Sequence, residues 1–366
     1  MAEPAQDAAT ARGTRVARYA EVSSALALTS DRRLGQLVDA ARFLGQGIGG
    51  TSALLDVDGV PVFVKRIPLT ERERLPENVM STANLFDLPP SCQYGIGYHP
   101  GFGVWRELAA NALTTSWVLA RRTEAFPLMY HWRVLPGAPP LSDELADVDR
   151  AVGYWGGSAA VREHIDAVAT ASASVVLFLE YIPQGLREWL DGQLARGPEA
   201  VSSAAAMVER CLRSDLAFMN ASGLLHFDAH FGNILTDGHR LYVADLGLAT
   251  SPRFDLSPAE SDFVARHGSH DVCHALTHLV NWLVSNVCGV AAPATGGPVE
   301  RNEYIRRCAA GAQVVDAPPT VAAVIRRYAP MATVMNAFYW DLFGVSRATP
   351  YPAEKIENVL RAVPRS

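Results

Sequence analysis

The sequence lacks the signatures of disulfide-bonded, secreted and membrane-spanning proteins. Its five cysteines are an odd number and none belongs to a Cys-x-x-Cys pair, which argues against a disulfide framework and a cysteine zinc ribbon. The most apolar stretch, residues 275–292, is interrupted by His278, Asn281 and Asn286, and the first residues lack the continuous apolar core of a secretory signal. We therefore expect a cytoplasmic protein with no membrane association.

An excess of positive charge is also missing. The formal net charge is -6 and the pI is about 5.9, so there is no basic footprint for nucleic acid and we expect none as a partner. No internal repeat is present. The composition is that of an ordinary globular protein, 49% hydrophobic and 19% charged, and 366 residues are enough for about two domains or lobes.

The first part of the chain predicts an extension followed by a hairpin. Residues 1–30 have weak apolar periodicity and are interpreted as a partly ordered N-terminal extension. Two apolar runs, residues 53–57 and 60–65, flank Asp58-Gly59. Because that pair accepts the positive φ angles of a tight turn, the runs predict a β-hairpin.

Regular and irregular segments alternate in the rest of this region. A helix is predicted for residues 105–119, and strands are predicted for residues 128–135 and 175–182. The Pro- and Gly-rich segments 76–104 and 136–157 are interpreted as loops or insertions.

After Pro183 the apolar pattern becomes mainly helical. Helices are predicted at residues 186–196, 201–222, 270–287 and from Val321 onward, with a loop at residues 289–298. The expected organisation is therefore an N-terminal extension at 1–30, a β-rich lobe at 31–182 and a helical lobe at 183–366.

The strongest chemical signal is the segment His226-Phe227-Asp228-Ala229-His230-Phe231-Gly232-Asn233, followed after a turn at Asp237-Gly238 by Asp245-Leu246-Gly247. This array resembles a bacterial kinase of the protein-kinase-like superfamily, whose catalytic loop reads His-x-Asp-x-x-x-x-Asn and whose metal-binding motif is Asp-x-Gly. The resemblance covers roughly residues 40–290. It implies an α+β, two-lobed protein-kinase-like fold with a small β-rich N-lobe and a larger helical C-lobe.

The resemblance also implies ATP and Mg²⁺ as cofactors. Asp228 would accept or orient the proton of the acceptor hydroxyl, and Asn233 and Asp245 would bind Mg²⁺, which favours oxygen ligands. His226 would brace the loop, and Asp271 would hold its backbone. Either Asp228 or Asn233 alone could equally be a residue that caps a loop. The catalytic interpretation therefore depends on the whole array of residues.

Residues for the nucleotide are predicted in the first lobe. Gly45, Gly47 and Gly50 introduce the predicted hairpin, where glycines let backbone amides approach nucleotide phosphates. Lys65 follows in the place of the family's phosphate-anchoring lysine, and Glu107, on the first long helix after it, is the candidate ion-pair partner. The alternative for Glu107 is a solvated helix glutamate. A Rossmann site is disfavoured, because the glycines lead into strands and not into a helix.

The run of residues 176–182 resembles the strand that joins the two lobes in this family. The resemblance implies that backbone groups around Glu180 and Ile182 would hold adenine between apolar side chains. Any buried strand has the same apolar character, so the assignment depends on position along the chain.

Two clusters of polar residues are open to both functional and structural interpretations. A His/Cys cluster at helical spacing raises a zinc site as an alternative to packed neutral histidines, which are commoner. An acidic group within residues 143–149 could attract a cationic acceptor, but such a run is usually a solvated loop. The members of the first cluster are His267, His270, Cys273, His274 and His278.

The sequence leaves the phosphate acceptor open. His230, two residues after Asp228, resembles the aminoglycoside phosphotransferases and choline kinases, whereas Asp245-Leu246-Gly247-Leu248-Ala249 resembles Ser/Thr protein kinases. Phe227 replaces the arginine with which many protein kinases grip a phosphorylated activation loop, and no Ala-Pro-Glu follows. We predict a kinase that transfers the γ-phosphate of ATP to an acceptor hydroxyl. A small-molecule acceptor is favoured, a Ser/Thr protein kinase is the alternative, and a nucleotide-binding pseudokinase is the third.

Overall fold

The backbone follows two compact units of α+β secondary structure, the class that the sequence predicts. The first unit comprises residues 1–181 with 246–248, and the second comprises residues 182–245 and 249–366. The computed structural model describes residues 3–47, 49–94, 97–98, 101–291 and 297–362.

The first unit is built on a five-stranded antiparallel sheet with the strand order β1-β2-β3-β5-β4. The longest strand, β3, lies at the centre of this order, with β2 on one side and β5 on the other. The strands are β1 (Arg42–Gly47), β2 (Gly50–Val57), β3 (Val60–Leu69), β4 (Met129–Pro136) and β5 (Ala173–Glu180).

The predicted hairpin is confirmed as β2 and β3. Asp58 and Gly59 form its turn with φ angles of 52° and 84°, and the Gly59 amide donates to Asp56 Oδ1 at 2.9 Å. Positive φ at both central residues produces the tight turn that matches the twist of antiparallel strands. The predicted strands at 128–135 and 175–182 correspond to β4 and β5.

Six helices accompany this sheet among the described residues. The predicted helix at 105–119 is confirmed as α4. The helices are α1 (Glu3–Ala27), α2 (Asp31–Ala40), α3 (Glu71–Arg74), α4 (Val104–Leu119), α5 (Val148–Tyr154) and α6 (Ala159–Ala169).

Helix α1 occupies most of the segment that weak periodicity assigns to a partly ordered extension. Its buried apolar residues include Val22 and Leu26, one helical turn apart, and its face packs against β4. Because the helix packs through few side chains, the apolar periodicity of its sequence is weak. The alanine-rich composition supplies the helix propensity that the periodicity does not show.

The two segments interpreted as insertions have different outcomes. The described part of residues 76–104 contains only short 3₁₀ turns before α4 begins, as expected of a loop. The segment 136–157 is not a plain loop, because it contains α5, which begins where Asp147 accepts the Arg150 amide at 3.0 Å. Together with α6 these segments form a separate apolar core that includes Phe86, Trp155 and Ile165.

The second unit is mainly helical, as predicted. Helices α8, α10 and α12 pack against one another and supply much of its core. A small antiparallel sheet of order β6-β7-β8 precedes most of the helices in sequence. The elements are β6 (Gln184–Gly185), α7 (Leu186–Ala195), α8 (Pro198–Ala221), β7 (Ile234–Thr236), β8 (Leu241–Val243), α9 (Pro258–Arg266), α10 (His270–Asn286), α11 (Val299–Ala309), α12 (Pro319–Gly344) and α13 (Ala353–Ala362).

The predicted helices of this region correspond to α7, α8, α10 and α12. The predicted loop at 289–298 falls partly outside the described residues, which resume at Gly297. In the portion of the chain that the structure describes, no helix combines the length and the apolar character that crossing a membrane requires.

Candidate functional site

The predicted glycine motif lies at the β1–β2 connection. Gly50 has a φ of +130°, and a Cβ there would stand 2.1 Å from the backbone oxygen of Arg66 on β3, so only glycine fits. A Cβ at Gly45 or Gly47 would meet no protein atom within 4 Å. The fold therefore requires glycine at position 50. Packing within the protein does not require glycine at positions 45 and 47.

Lys65 extends from β3 toward this connection. A Cβ at Gly49 would lie 3.7 Å from Lys65 Nζ, so the turn of the glycine hairpin passes beside the ammonium group. The neighbouring Ile48 lies outside the described residues. The sequence has 32 lysines and arginines, and only two of them, Lys65 and Lys355, are lysines. A lysine at position 65 is therefore unusual for this protein, which otherwise uses arginine.

Lys65 forms an ion pair with Glu107 of α4. Lys65 Nζ lies 2.7 Å from Glu107 Oε1, and the two side chains are only 13% and 6% exposed. The predicted pairing is therefore present, and the alternative of a solvated helix glutamate is wrong. A buried carboxylate and a nearly buried ammonium in contact form a fixed pair and not a screened surface bridge.

Glu73, which the sequence analysis does not select, fixes the start of the helix that carries Glu107. Its Oε1 accepts the Val104 amide at 2.8 Å, and its Oε2 accepts the Thr70 amide and hydroxyl at 3.0 and 2.7 Å. Burial raises the pKa of Glu73, although these hydrogen bonds oppose the rise. The pattern Thr70-x-x-Glu73, a capping box, is the sequence signal that could have identified it.

Glu180 ends β5 and is already engaged by the protein. Arg15 of α1 donates to its carboxylate through Nε at 2.9 Å and through Nη2 at 2.6 Å, and the Leu128 amide donates to Oε2 at 3.1 Å. The Glu180 amide donates to the Leu128 carbonyl at 2.7 Å. Neither its carboxylate nor its N–H is therefore available for adenine. Ile182, the other predicted adenine contact, is the first residue of the second unit.

In the second unit, Asp228 and Asn233 are held together directly. Asn233 Nδ2 donates to Asp228 Oδ2 at 2.8 Å and to the Asp228 backbone oxygen at 3.0 Å. Because the amide nitrogen faces Asp228, Oδ1 is the remaining ligand atom of Asn233. The Asp228 side chain keeps 19% exposure, enough to meet a substrate from solvent.

Asp271, at the start of α10, holds the backbone of this loop. Its two carboxylate oxygens accept the amides of His226 and Phe227 at 2.7 and 2.8 Å, and the Asn220 side chain donates a third bond at 2.7 Å. Burial raises the pKa of Asp271, but hydrogen bonding and the field of His270 outweigh burial and leave it below its ordinary value. The brace inferred from the family resemblance is thus present.

His226 ties the loop to the strand that precedes Asp245. Its Nδ1 accepts the Asp228 amide at 3.2 Å, so Nε2 carries the proton and donates to the Ala244 oxygen at 2.9 Å. The Ala244 amide in turn donates to the backbone oxygen of Asn233 at 2.9 Å. These bonds place the segments that carry Asp228, Asn233 and Asp245 in one connected network.

Two residues of this network have strained backbone conformations. Phe227 and Asp245 have φ angles of 64° and 55°, a region that costs a non-glycine residue about 1 to 3 kcal/mol. Such residues concentrate at functional sites, where surrounding contacts maintain them. The sequence gives no signal for this strain at Phe227, whereas aspartate is among the residues that adopt left-handed backbone more readily.

His230 lies beside both carboxylates. Its Nε2 is 3.7 Å from Asp228 Oδ1, and its electrostatic environment includes Asp245. Burial and the neighbouring His226 lower the pKa of His230, with Asp245 opposing the shift. The imidazole is therefore mostly neutral near pH 7 and can accept or donate a hydrogen bond there.

No family model matches the sequence, and no curated protein matches it. The chemistry of the site has to be argued from its own residues.

The histidines of α10, and His267 at the end of α9, are packed side chains. Among the residues that the structure describes, no group of three or more His, Cys, Asp or Glu side chains could hold a metal ion. His267 bonds the Phe263 oxygen through Nδ1, and His274 and His270 both contact the Tyr339 hydroxyl. Burial lowers the pKa of His267 to about 3. These contacts favour neutral, packed histidines over the zinc interpretation.

The arrangement combines two chemical capacities, one in each unit. The first unit has a lysine ammonium, anchored by Glu107, beside an open glycine backbone. The second unit has two carboxylates and an amide oxygen in a rigid network next to a neutral histidine. An ammonium beside backbone amides suits phosphate oxygens, and carboxylate and amide oxygens suit a hard divalent cation and a hydroxyl proton.

Proposed function

We propose that this protein is an ATP- and Mg²⁺-dependent phosphotransferase with a protein-kinase-like fold. It transfers the γ-phosphate to a hydroxyl, and a small molecule is the favoured acceptor. A nucleotide-binding pseudokinase is the competing proposal, since binding alone would need Lys65 and Asp245 but not Asp228.

The contact between Lys65 and Glu107 carries this proposal. In protein kinases a lysine on the third strand must pair with a helix glutamate before ATP is held productively. Here the lysine is on the third strand and its partner is on the first long helix after it, 42 positions further along the chain. A long, irregular insertion separates the two, so local sequence does not impose the pairing.

The residues of the second unit fit Mg²⁺. This ion usually keeps several waters and binds proteins through one or two carboxylates together with substrate phosphates. Asp245 and Asn233 Oδ1 supply such a set, and a cage of three or more side chains is not needed. When bound with ATP, Mg²⁺ would neutralise charge on the phosphate oxygens.

The remaining chemistry falls to Asp228. Its carboxylate is fixed by Asn233 and by the Asp271-braced backbone, so it can orient the acceptor hydroxyl and accept its proton as the phosphate is transferred. Lys65 would bind phosphate oxygens, with Glu107 keeping its ammonium in place. The glycine backbone at Gly45 and Gly47 would lie against the same phosphates.

Local structure favours a small-molecule acceptor over a regulated protein kinase. Phe227, where many kinases have an arginine, is 1% exposed and stacks with His270 and Phe263. The segment between Asp245 and α9 is short, its Thr250 and Ser251 are buried, and its exposed Ser257 caps α9 through Glu260. Phe227 therefore provides no phosphate-gripping arginine, and the three hydroxyls of this segment are buried or engaged in a helix cap.

The test separates nucleotide binding from turnover. Asp228→Asn should bind Mg-ATP with nearly wild-type affinity but lose turnover, because it removes the group that orients the hydroxyl and keeps the fold. Asp245→Ala should weaken binding of Mg-ATP and its dependence on Mg²⁺ as well as turnover. Asp262→Asn, an exposed aspartate on α9, is the matched control and should behave as wild type.

Two outcomes would count against the proposal. Turnover by Asp228→Asn at the wild-type rate would remove the assigned role of that carboxylate. Tight Mg-ATP binding by the wild type with no turnover on any hydroxyl compound would favour the pseudokinase.

A further inference from the structure

The residues that follow Asp245 are held by a side chain from the insertion at residues 76–104. Leu246–Leu248 form a short 3₁₀ turn that belongs to the first unit, although the residues on either side of it belong to the second. Gln93 of the insertion is only 4% exposed, and its Nε2 donates to the backbone oxygen of Leu248. The proposed mechanism uses Asp245 but does not use this contact.

The insertion fixes the position of Gln93. This residue lies in a second 3₁₀ turn, Pro90–Tyr94, and its neighbours Cys92 and Tyr94 are buried as well. Cys92 is a member of the separate apolar core that the insertion forms with α5 and α6. Because packed cores leave their side chains little freedom, the bond to Leu248 comes from a donor that the insertion holds in place.

The turn that accepts this bond packs against α4, the helix that carries Glu107. Its first residue, Leu246, is 3% exposed. The insertion also contacts α4 directly. Arg106 donates from Nε to the Thr82 oxygen at 2.7 Å, and its guanidinium carbon lies 4.9 Å from the centre of the Phe102 ring. The insertion therefore contacts both the helix and the turn that packs on it.

Backbone bonds within the second unit fix the two ends of the segment. The Ala244 amide donates to the backbone oxygen of Asn233 at 2.9 Å, and Thr250 exchanges two backbone bonds with Leu225, each of 2.9 Å. Asp245 lies between these ends with a φ of 55°, a conformation that surrounding contacts have to maintain. The insertion restrains the residues that follow it.

We propose that Gln93 is a positioning residue for the metal site, because it holds the turn after Asp245 against α4 and thereby keeps the Asp245 backbone in one conformation. This inference rests on the proposed function for its metal, whereas the restraint on the turn does not. In regulated protein kinases, activation-loop phosphorylation and movement of the helix control whether the Lys–Glu pair and the metal-binding aspartate are in place. Here a hydrogen bond from the insertion supplies that support without a modification.

Loss of this bond has a specific kinetic consequence. Without it, the segment around Asp245 spends part of its time in conformations that do not bind Mg²⁺. The apparent affinity for a ligand falls in proportion to the fraction of protein in the binding conformation, while the bound state itself is unchanged. The Mg²⁺ requirement should therefore rise, and the rate at saturating Mg²⁺ should not fall with it.

The restraint on the turn can be measured without nucleotide or metal. Hydrogen exchange of the amides of residues 246–249 is followed by mass spectrometry in the wild type, Gln93→Met and Gln93→Glu. Methionine is close to glutamine in length but has no N–H donor, and an ionised glutamate has none either. We expect both variants to exchange these amides about tenfold faster, the effect of one lost hydrogen bond. Wild-type exchange in both variants would overturn the inference.

Asn84→Ala is the matched control within the same insertion. Asn84 accepts the Leu88 amide at 2.9 Å and donates to the Leu88 oxygen at 2.8 Å, so its bonds stay inside the insertion. This variant should lower the melting temperature but keep the wild-type exchange of residues 246–249 and the wild-type Mg²⁺ requirement. If Asn84→Ala and Gln93→Met changed the Mg²⁺ requirement equally, Gln93 would have only a structural role and the proposal would be overturned.

The dependence of turnover on Mg²⁺ tests the positioning role itself. At a fixed ATP concentration, we expect half-saturating Mg²⁺ to rise about tenfold in both Gln93 variants, with the rate at saturating Mg²⁺ within about twofold of wild type. A fall in the saturated rate with no change in half-saturating Mg²⁺ would overturn the inference and retain the kinase. A wild type that binds no Mg-ATP would overturn the proposed function, and the exchange experiment would still decide whether Gln93 holds the turn.

Discussion

Asp271 is the residue on which the geometry of the loop at residues 226–233 depends most. It accepts two successive backbone amides and a side-chain amide, all within 2.8 Å, and it does so while fully buried. The strained φ of Phe227 lies directly on this bonded segment. A single carboxylate thus holds the loop in a conformation that its own residues do not favour.

Asp271→Asn should lower the free energy of unfolding by about 3 kcal/mol, because an amide cannot accept all three hydrogen bonds. The folded pKa of Asp271 is depressed, so its contribution is fully present above the unfolded value near pH 4. It is lost as pH falls through the folded pKa. Denaturant unfolding at several pH values checks this, and the acid decline should be shallower in the variant. An equally steep decline would contradict the assigned role.

The sequence was sufficient to select Asp228 and Asn233, which are in contact in the structure, and to pair Lys65 with Glu107, because the spacing of chemically specific residues survives in a linear pattern. It did not identify Glu73 or Arg15. Each of these acts through a contact made only after folding, and a lone charged residue on a helix looks the same whether it is solvated or buried. The predicted strand ran to residue 182, two residues beyond its observed end at Glu180, and the prediction for adenine did not foresee that the Glu180 N–H bonds the Leu128 carbonyl or that Arg15 pairs with the Glu180 carboxylate.

Among the elements, α1 has the clearest consequence beyond its own packing. Arg15 projects from α1 to Glu180 at the end of β5 and also bonds the Phe126 oxygen at 2.6 Å. The two side chains are 11% and 9% exposed, so this is a nearly buried ion pair. The helix therefore fixes the end of the strand that leads out of the first unit.

Arg15→Ala should destabilise the first unit by about 3 kcal/mol, because it leaves the buried Glu180 carboxylate with only the Leu128 amide. Arg18→Ala, an exposed arginine on the same helix, should change stability by less than about 0.5 kcal/mol. Combining Arg15→Ala with Glu180→Gln should recover part of the loss, because no unpaired charge then remains. Thermal unfolding of the four proteins measures this, and equal losses for the two arginine variants would contradict the account.

Elements with strong local signals were predictable, and those that depend on tertiary contacts were not. The Asp58-Gly59 turn and the apolar runs beside it sufficed for β2 and β3. Helix α5 was missed because Gly153, Gly156 and Gly157 and the acidic residues around it resemble a loop. It forms because Ala151, Val152 and Trp155 are buried in a core that includes Phe86 and Phe102, which lie far away in sequence.

For the whole molecule, the proposed phosphotransfer gives the two units complementary tasks. The first would supply the ammonium and glycine backbone for phosphates, and the second would supply the carboxylates for Mg²⁺ and the acceptor hydroxyl. Most of the residues for each task lie close together within one unit, held by bonds internal to that unit. Phosphotransfer is the reaction that uses both sets, which is why its direct observation is the decisive test.

The most direct measurement follows the γ-phosphate itself. The protein is incubated with Mg²⁺, ATP labelled at the γ-position and a pool of hydroxyl compounds, alongside Asp228→Asn and Asp262→Asn. The account predicts label on a small molecule with wild type and Asp262→Asn, and a loss of at least about a hundredfold with Asp228→Asn. Label on no compound, or equal label with Asp228→Asn, would contradict it.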